Sequence, residues 1–111
     1  MISLSATSRI FAYTGVTDFR KGIDGLASIC RKEMGQDPLG GSIFLFMNRS
    51  RQSIKLLAYD GQGFWVMQKR LSQGKFVTRV QTENLLPREL LTLLWNGHIS
   101  SAQYQENWLP V

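Results

Sequence analysis

Apolar positions recur along this chain with two different periods, and the switches between them divide it into elements. Ile10 and Ala12 alternate with Phe11 and Tyr13, so residues 9–13 read as a short strand that Gly15 breaks. Ile23, Leu26, Ala27, Cys30 and Met34 then fall three and four apart, which places them on one face of a helix. Gly35 stands where a left-handed residue after a helix belongs. Two starts are open for that helix. Thr17 or Asp18 caps it through a side-chain oxygen, or it begins later with Asp24 as its cap. Asp37-Pro38-Leu39-Gly40-Gly41 is turn material, and Ile43–Met47 is apolar without a break. That run reads as a central strand covered on both faces.

After a polar loop over 48–53, residues 54–59 and 64–70 make two strands joined through Asp60-Gly61-Gln62-Gly63. Asp-Gly accepts positive φ, which makes this a hairpin signal. With Tyr59 opposite Phe64, one face carries Lys55, Leu57, Tyr59, Phe64 and Val66. The other carries Ile54, Leu56, Ala58, Trp65, Met67 and Lys69. Neither face is polar, so at least one is expected to be covered. Gly74 allows a turn before a further strand over 75–80. Pro87 suits the first position of a second helix, although Leu86 is a poor cap. Leu90, Leu91 and Leu94, joined by Trp95, form its apolar stripe, and Gly97 closes it. The tail over 98–111 ends in Trp108-Leu109-Pro110-Val111 and is expected to fold back or meet a partner. These elements predict one α+β domain over 1–111. It is a mainly antiparallel β-meander with one helix from each half of the chain packed on it.

A chain of 111 residues suffices for one core and no more. Its longest apolar run falls far short of the roughly 20 residues that cross a bilayer, so no membrane association is expected. No signal-peptide pattern opens it, and its single cysteine cannot form an internal disulfide, which suits the cytoplasm. The net charge of +5 is unevenly placed. Arg49, Arg51, Lys55, Lys69, Arg70, Lys75 and Arg79 face only Asp60 within residues 49–79, whereas acids slightly outnumber bases elsewhere. A localised basic surface points to a polyanion such as nucleic acid, or to a solvated sheet edge guarded by cations.

Catalytic chemistry finds little support. Cys30 lies on the apolar helix stripe, and the single histidine, His98, is far from it in sequence. Asp18, Asp24 and Asp60 could hold a divalent metal if they met in space, but each has a structural reading as cap, helix surface or hairpin turn. The segment from Gly15 to Gly22 lacks the Gly-Lys-Ser/Thr of a phosphate loop. A non-catalytic protein without cofactor or metal is the expectation.

The densest stretch runs from Thr14 to Leu26, with three glycines, two carboxylates and two adjacent cations. Gly22 and Gly25 are unusual there, because each costs about 1 kcal/mol relative to alanine inside a helix. Close approach of the backbone to a strand or a ligand would explain them. Thr17-Asp18-Phe19-Arg20-Lys21-Gly22-Ile23-Asp24-Gly25-Leu26 closely resembles the T-D-M-R-K-G-F-D-G-L signature of the accessory protein of bacterial insertion-sequence family sixty-six. That protein is often called TnpB, a name shared with an unrelated RNA-guided nuclease. The resemblance continues through Gly41–Phe46, Ile54–Leu57, Asp60-Gly61-Gln62-Gly63, Lys69-Arg70-Leu71 and Gly74-Lys75-Phe76, covering about residues 9–97. It implies a helper in transposition, encoded beside a separate catalytic transposase.

Two molecular roles are compatible with that resemblance. In one, Arg49, Arg51, Arg70, Lys75 and Arg79 contact DNA phosphates, at the element's ends or non-specifically. Arg20 and Lys21 would form a second phosphate site at the helix N-terminus, or pair instead with Asp18 or Asp24. In the other, the chain is an adaptor that docks on the transposase or other proteins of the element. Trp65, Trp95 and Trp108 would then be anchors rather than core.

Overall fold

A computed structural model describes residues 9–77 and 79–95. Its elements are β1 (Ile10–Val16), α1 (Ile23–Lys32), β2 (Ile43–Met47), β3 (Ser53–Tyr59), β4 (Phe64–Arg70), β5 (Asn84–Leu85) and α2 (Pro87–Leu94). Five strands form one sheet in the order β4-β3-β2-β1-β5. β1 and β2 are parallel, and the other three pairings are antiparallel. The domain is therefore α+β as expected, but only β2-β3-β4 is a meander. A parallel pair needs a crossover, and α1 supplies it.

Side chains alternate across the sheet and build two cores. On one face Phe44, Phe46 and Leu57 pack with Leu26 and Cys30 of α1, flanked by Phe11, Tyr13, Phe64 and Val66. On the other, Ile10, Ala12, Ile43, Leu45, Met47, Ile54, Leu56 and Ala58 meet Leu90 and Leu93 of α2. All five residues of β2 are buried, as its unbroken apolar sequence requires. The predicted face assignment of the β3–β4 hairpin also holds, with Tyr59 opposite Phe64 in an edge-to-face ring pair. Gly61 takes φ +93 in the turn. The Asp60 carboxylate accepts from Gln62 N, Gly63 N and Trp65 Nε1 at 2.8–2.9 Å, which holds its pKa down to about 2.

Several boundaries differ from expectation. β1 runs past Gly15 to Val16, with an irregularity in which four residues of β1 advance only two along β2. The first helix is capped by neither Thr17, Asp18 nor Asp24. Gly22 holds the cap position without a side-chain bond, because Thr17 is buried at the end of β1 and the Asp18 carboxylate is taken by Arg20. Asp24 lies inside the first turn. Gly35 does close the helix in the left-handed region, with Gln36 N donating to Cys30 O. A Cβ at Gly25 would fall 2.8 Å from the Lys21 Cβ, so the tight approach is to the chain's own preceding turn, not to a strand. At Gly22 nothing comes close.

Among the described residues of 75–80 none lies in a strand. Phe76 and Val80 are buried in the α2-side core and Val77 is exposed, as alternation would place them, but the Phe76 amide donates to Arg51 O in the loop after β2 and not to a neighbouring strand. The strand beside β1 is instead Asn84–Leu85. In α2 the buried pair is Leu90 and Leu93, with Leu94 packed at the margin. Leu91 points outward because it is rotated about 100° from Leu90. Leu86 works as a cap position because the Glu89 carboxylate reaches back to its N–H at 2.8 Å. Trp65 and Trp95 are 43% and 50% exposed, so neither serves as core. Gly97, His98, Trp108 and the 98–111 tail lie outside the described residues.

Two stability measurements follow from this packing. Phe46→Ala empties a fully buried site and should cost about 3–5 kcal/mol in urea unfolding, while Leu91→Ala on the exposed face should stay within about 0.5 kcal/mol. A similar cost for both would contradict the burial assignment. The lowered Asp60 pKa adds stability that is complete above the ordinary carboxylate value and is lost as the group protonates toward pH 2. Thermal melts should therefore show wild type above Asp60→Asn at neutral pH, with the gap closing between about pH 4 and pH 2.

Candidate nucleic-acid interface

The topology gathers most of the predicted basic residues at one end of the sheet. Val16 lies beside Met47, Met47 beside Ile54, and Ser53 beside Arg70, so β1, β2 and β4 all end where β3 begins. The β2–β3 loop at that end is shaped by Asn48. Its Oδ1 accepts from Gln52 N and Ser53 N, both at 3.1 Å, and its carbonyl accepts from Arg51 N. Arg51 takes φ +60 to complete the turn.

The segment after β4 then clasps this loop. Leu71 N donates to Gln52 O and Phe76 N to Arg51 O, at 2.9 and 2.7 Å. Arg79 Nη2 donates to the carbonyls of Asn48 and Arg49, at 2.8 and 3.1 Å. Buried Phe76 and Val80 anchor the clasp from below. Arg49, Arg51, Arg70, Lys75 and Arg79 are thereby collected around one loop. Arg49, Arg70 and Lys75 are exposed, and Arg51 and Arg79 are half-buried. Burial, and then the charges of Arg51 and Arg49, pull the Arg79 pKa below its ordinary value. The neighbouring cations are thus close enough to repel one another. The one acid of this stretch, Asp60, sits at the far end of β3, a seven-residue strand about 20 Å long.

The signature segment approaches the same loop from β1. Thr17 N donates to Met47 O, and the Thr17 side chain is 2% exposed. Arg20 forks onto Asp18 with contacts of 2.8–3.2 Å, so the ion-pair alternative for Arg20 is realised, with Asp18 and not Asp24. These bonds hold the Asp18 pKa down to about 2 and raise that of Arg20. Lys21 is exposed beside them. Of the remaining signature positions, Gly22, Asp24 and Gly25 belong to the start of α1, whereas Asp60, Gly61 and Gly63 lie at the opposite end of the sheet.

Besides Arg79, two more cations of the basic stretch are spent internally. Lys55 Nζ donates to Phe19 O at 3.0 Å and lies over the Phe19 ring. Lys69 Nζ donates to Leu94 O and lies over the Trp95 ring. Reading the sequence missed both roles, and also the part played by Asn48. An asparagine opening a short polar run is an Asx-turn signal that could have found the latter. Cys30 is fully buried, which pushes its thiol up to about 11. Among the described residues no three His, Cys, Asp or Glu converge as a metal site, and no helix is long and apolar enough to cross a membrane.

Comparison with known proteins supplies the remaining context. Residues 8–104 match the family described as "IS66 Orf2 like protein". The chain is 33% identical over 113 residues to "Uncharacterized protein y4hO" of Sinorhizobium fredii (strain NBRC 101917 / NGR234), a match that spans 99% of this chain and 96% of that protein. It is 34% identical over 77 residues to "Uncharacterized protein y4jC" of the same strain, spanning 69% of this chain and 66% of that relative. No solved structure matches the chain. A family match over almost the whole length, with a relative aligned from end to end, makes this chain a member of the IS66 Orf2-like family.

Proposed function

We propose that this transposition accessory protein is non-catalytic, works in the cytoplasm and binds DNA through the basic end of its sheet. The observation that carries this reading is the gathering of five cations around the β2–β3 loop, with the one acid of residues 49–79 removed to the far end of a strand. Such a surface raises the local potential and attracts phosphate without needing base readout. Arg49, Arg51, Arg70 and Lys75 are the phosphate contacts. Arg79 adds charge but spends its guanidinium on the loop carbonyls, so its role is to hold the loop. Arg20 and Lys21 extend the surface past the end of β1. Among the described residues no basic helix faces outward as a recognition element, so binding is phosphate-dominated and weakly selective for sequence.

A second reading has its own support. Among the described residues, Ile54, Leu56, Met67, Leu94 and Trp95 line an apolar groove of about 250 Å³ on the α2 face. Trp65 and Met67 are exposed beside it on β4. This surface suits a protein partner such as the element's transposase.

Fluorescence anisotropy with a labelled duplex across a salt series separates the two. Four phosphate contacts predict that log affinity falls with log salt at a slope of about −3.6, and Arg49→Ala or Arg51→Ala should each lessen it by about 0.9. Absence of binding at low salt would overturn DNA recognition by this chain alone and leave the apolar groove as the working surface.

A further inference from the structure

The family signature and the basic loop enclose a cleft. Val16, Thr17, Asp18, Phe19 and Arg20 form one wall and Asn48, Arg49 and Ser50 the other, around about 760 Å³. That volume lies within the roughly 300–1,000 Å³ of small-molecule sites. Its walls mix three kinds of group. Arg20 and Arg49 are exposed cations on opposite sides. Asp18 accepts the Arg20 Nε–H and one Nη2 hydrogen, which orients the guanidinium while leaving its other hydrogens to donate. Val16 is 41% exposed, and Phe19 is held by Lys55, which donates to its carbonyl and lies over its ring.

Thr17 provides a further and independent sign. Its side chain is 2% exposed, and its hydroxyl has no hydrogen-bond partner among the described residues. A buried hydroxyl left unsatisfied is costly, and such groups gather where a ligand or a rearrangement supplies the missing bond. The hydroxyl is not open to solvent here, so engaging a ligand takes a rotation of the side chain about χ1.

We propose that this cleft holds one unpaired nucleotide of a DNA strand, with its phosphate between Arg20 and Arg49 and its base against Val16 and Phe19. The inference rests on the DNA-binding reading and deepens it. A duplex keeps its bases stacked inside, so a base face reaches the apolar wall of a cleft only from a nucleotide released from pairing. A base edge carries donors as well as acceptors, which suits a wall offering a carboxylate beside two guanidinium groups, with the Thr17 hydroxyl added once its side chain rotates.

The test compares a blunt duplex with the same duplex carrying a single-stranded tail, by anisotropy with the full-length protein at fixed salt. The tailed duplex should bind about tenfold more tightly. Arg20→Ala should weaken the tailed duplex several-fold more than it weakens the blunt one, so that most of that preference disappears. Thr17→Val keeps the shape and removes the unsatisfied hydroxyl, so its Tm should equal or exceed wild type while the tail preference falls. Equal affinity for tailed and blunt duplexes would overturn the cleft assignment and leave DNA binding by the basic loop standing. Failure of both duplexes to bind would remove the DNA reading and this inference together. Binding of a glutamate-rich peptide that Arg20→Ala abolishes, without any tail preference, would assign the cleft to a protein partner instead.

Discussion

The two-sided burial of β2 is the constraint from which the rest of the molecule follows. Five consecutive apolar residues cannot lie at an edge or face water, so strands must flank them and a layer must cover each side. β3 flanks by a direct return, and β1 flanks in parallel through α1. Phe44 and Phe46 draw α1 onto one face, while Ile43, Leu45 and Met47 require α2, Phe76 and Val80 on the other. The parallel pairing has a further effect. It makes β1 and β2 end on the same side, so the loops leaving them are neighbours, and the signature segment comes to lie against the β2–β3 loop.

That placement sorts charge as well as structure. Cations that must lie near apolar surface are satisfied internally, as Lys55 is by Phe19 and Lys69 by Leu94 and Trp95. Those around the loop are held close together although they repel, and burial, followed by the charges of Arg51 and Arg49, lowers the pKa of Arg79. Its carbonyl contacts and the buried Phe76 offset that repulsion. A cluster of like charges maintained by dedicated bonds is what a site for a polyanion requires before the polyanion arrives. The acids follow the same sorting. Asp60 is consumed by its own turn, and Asp18 by Arg20, so neither neutralises the loop.

Most of the fold was legible because its signals are local. The unbroken run of β2, the Asp-Gly turn, the positive φ of Gly35 and Gly61, and Pro87 at the head of α2 each follow from one residue's chemistry. What escaped were features decided by tertiary partners. Residues 75–80 carry strand-like composition, yet Phe76 is worth more as a plug over the sheet than as part of a ladder. Parallel pairing of β1 with β2 leaves no mark in either strand, since antiparallel neighbours would show the same apolar alternation. The apolar stripe of α2 was misplaced by one residue because four leucines in five positions leave the buried side undetermined until the sheet supplies it. At the candidate site, the cations themselves were legible from charge asymmetry. The bonds that tie Arg20 and Arg79 down were not, because they depend on loop geometry.

Cys30 carries a consequence of a different kind. It lies wholly buried between α1 and the phenylalanines of β2, with its thiol held protonated well above neutral pH. Only the thiolate reacts readily with an alkylating reagent, and only when the reagent can reach it. The sole sulfhydryl of the chain therefore reports on a single event, the lifting of α1 from the sheet. Its labelling rate, measured without any introduced probe, gives the free energy of opening that face separately from the face beneath α2.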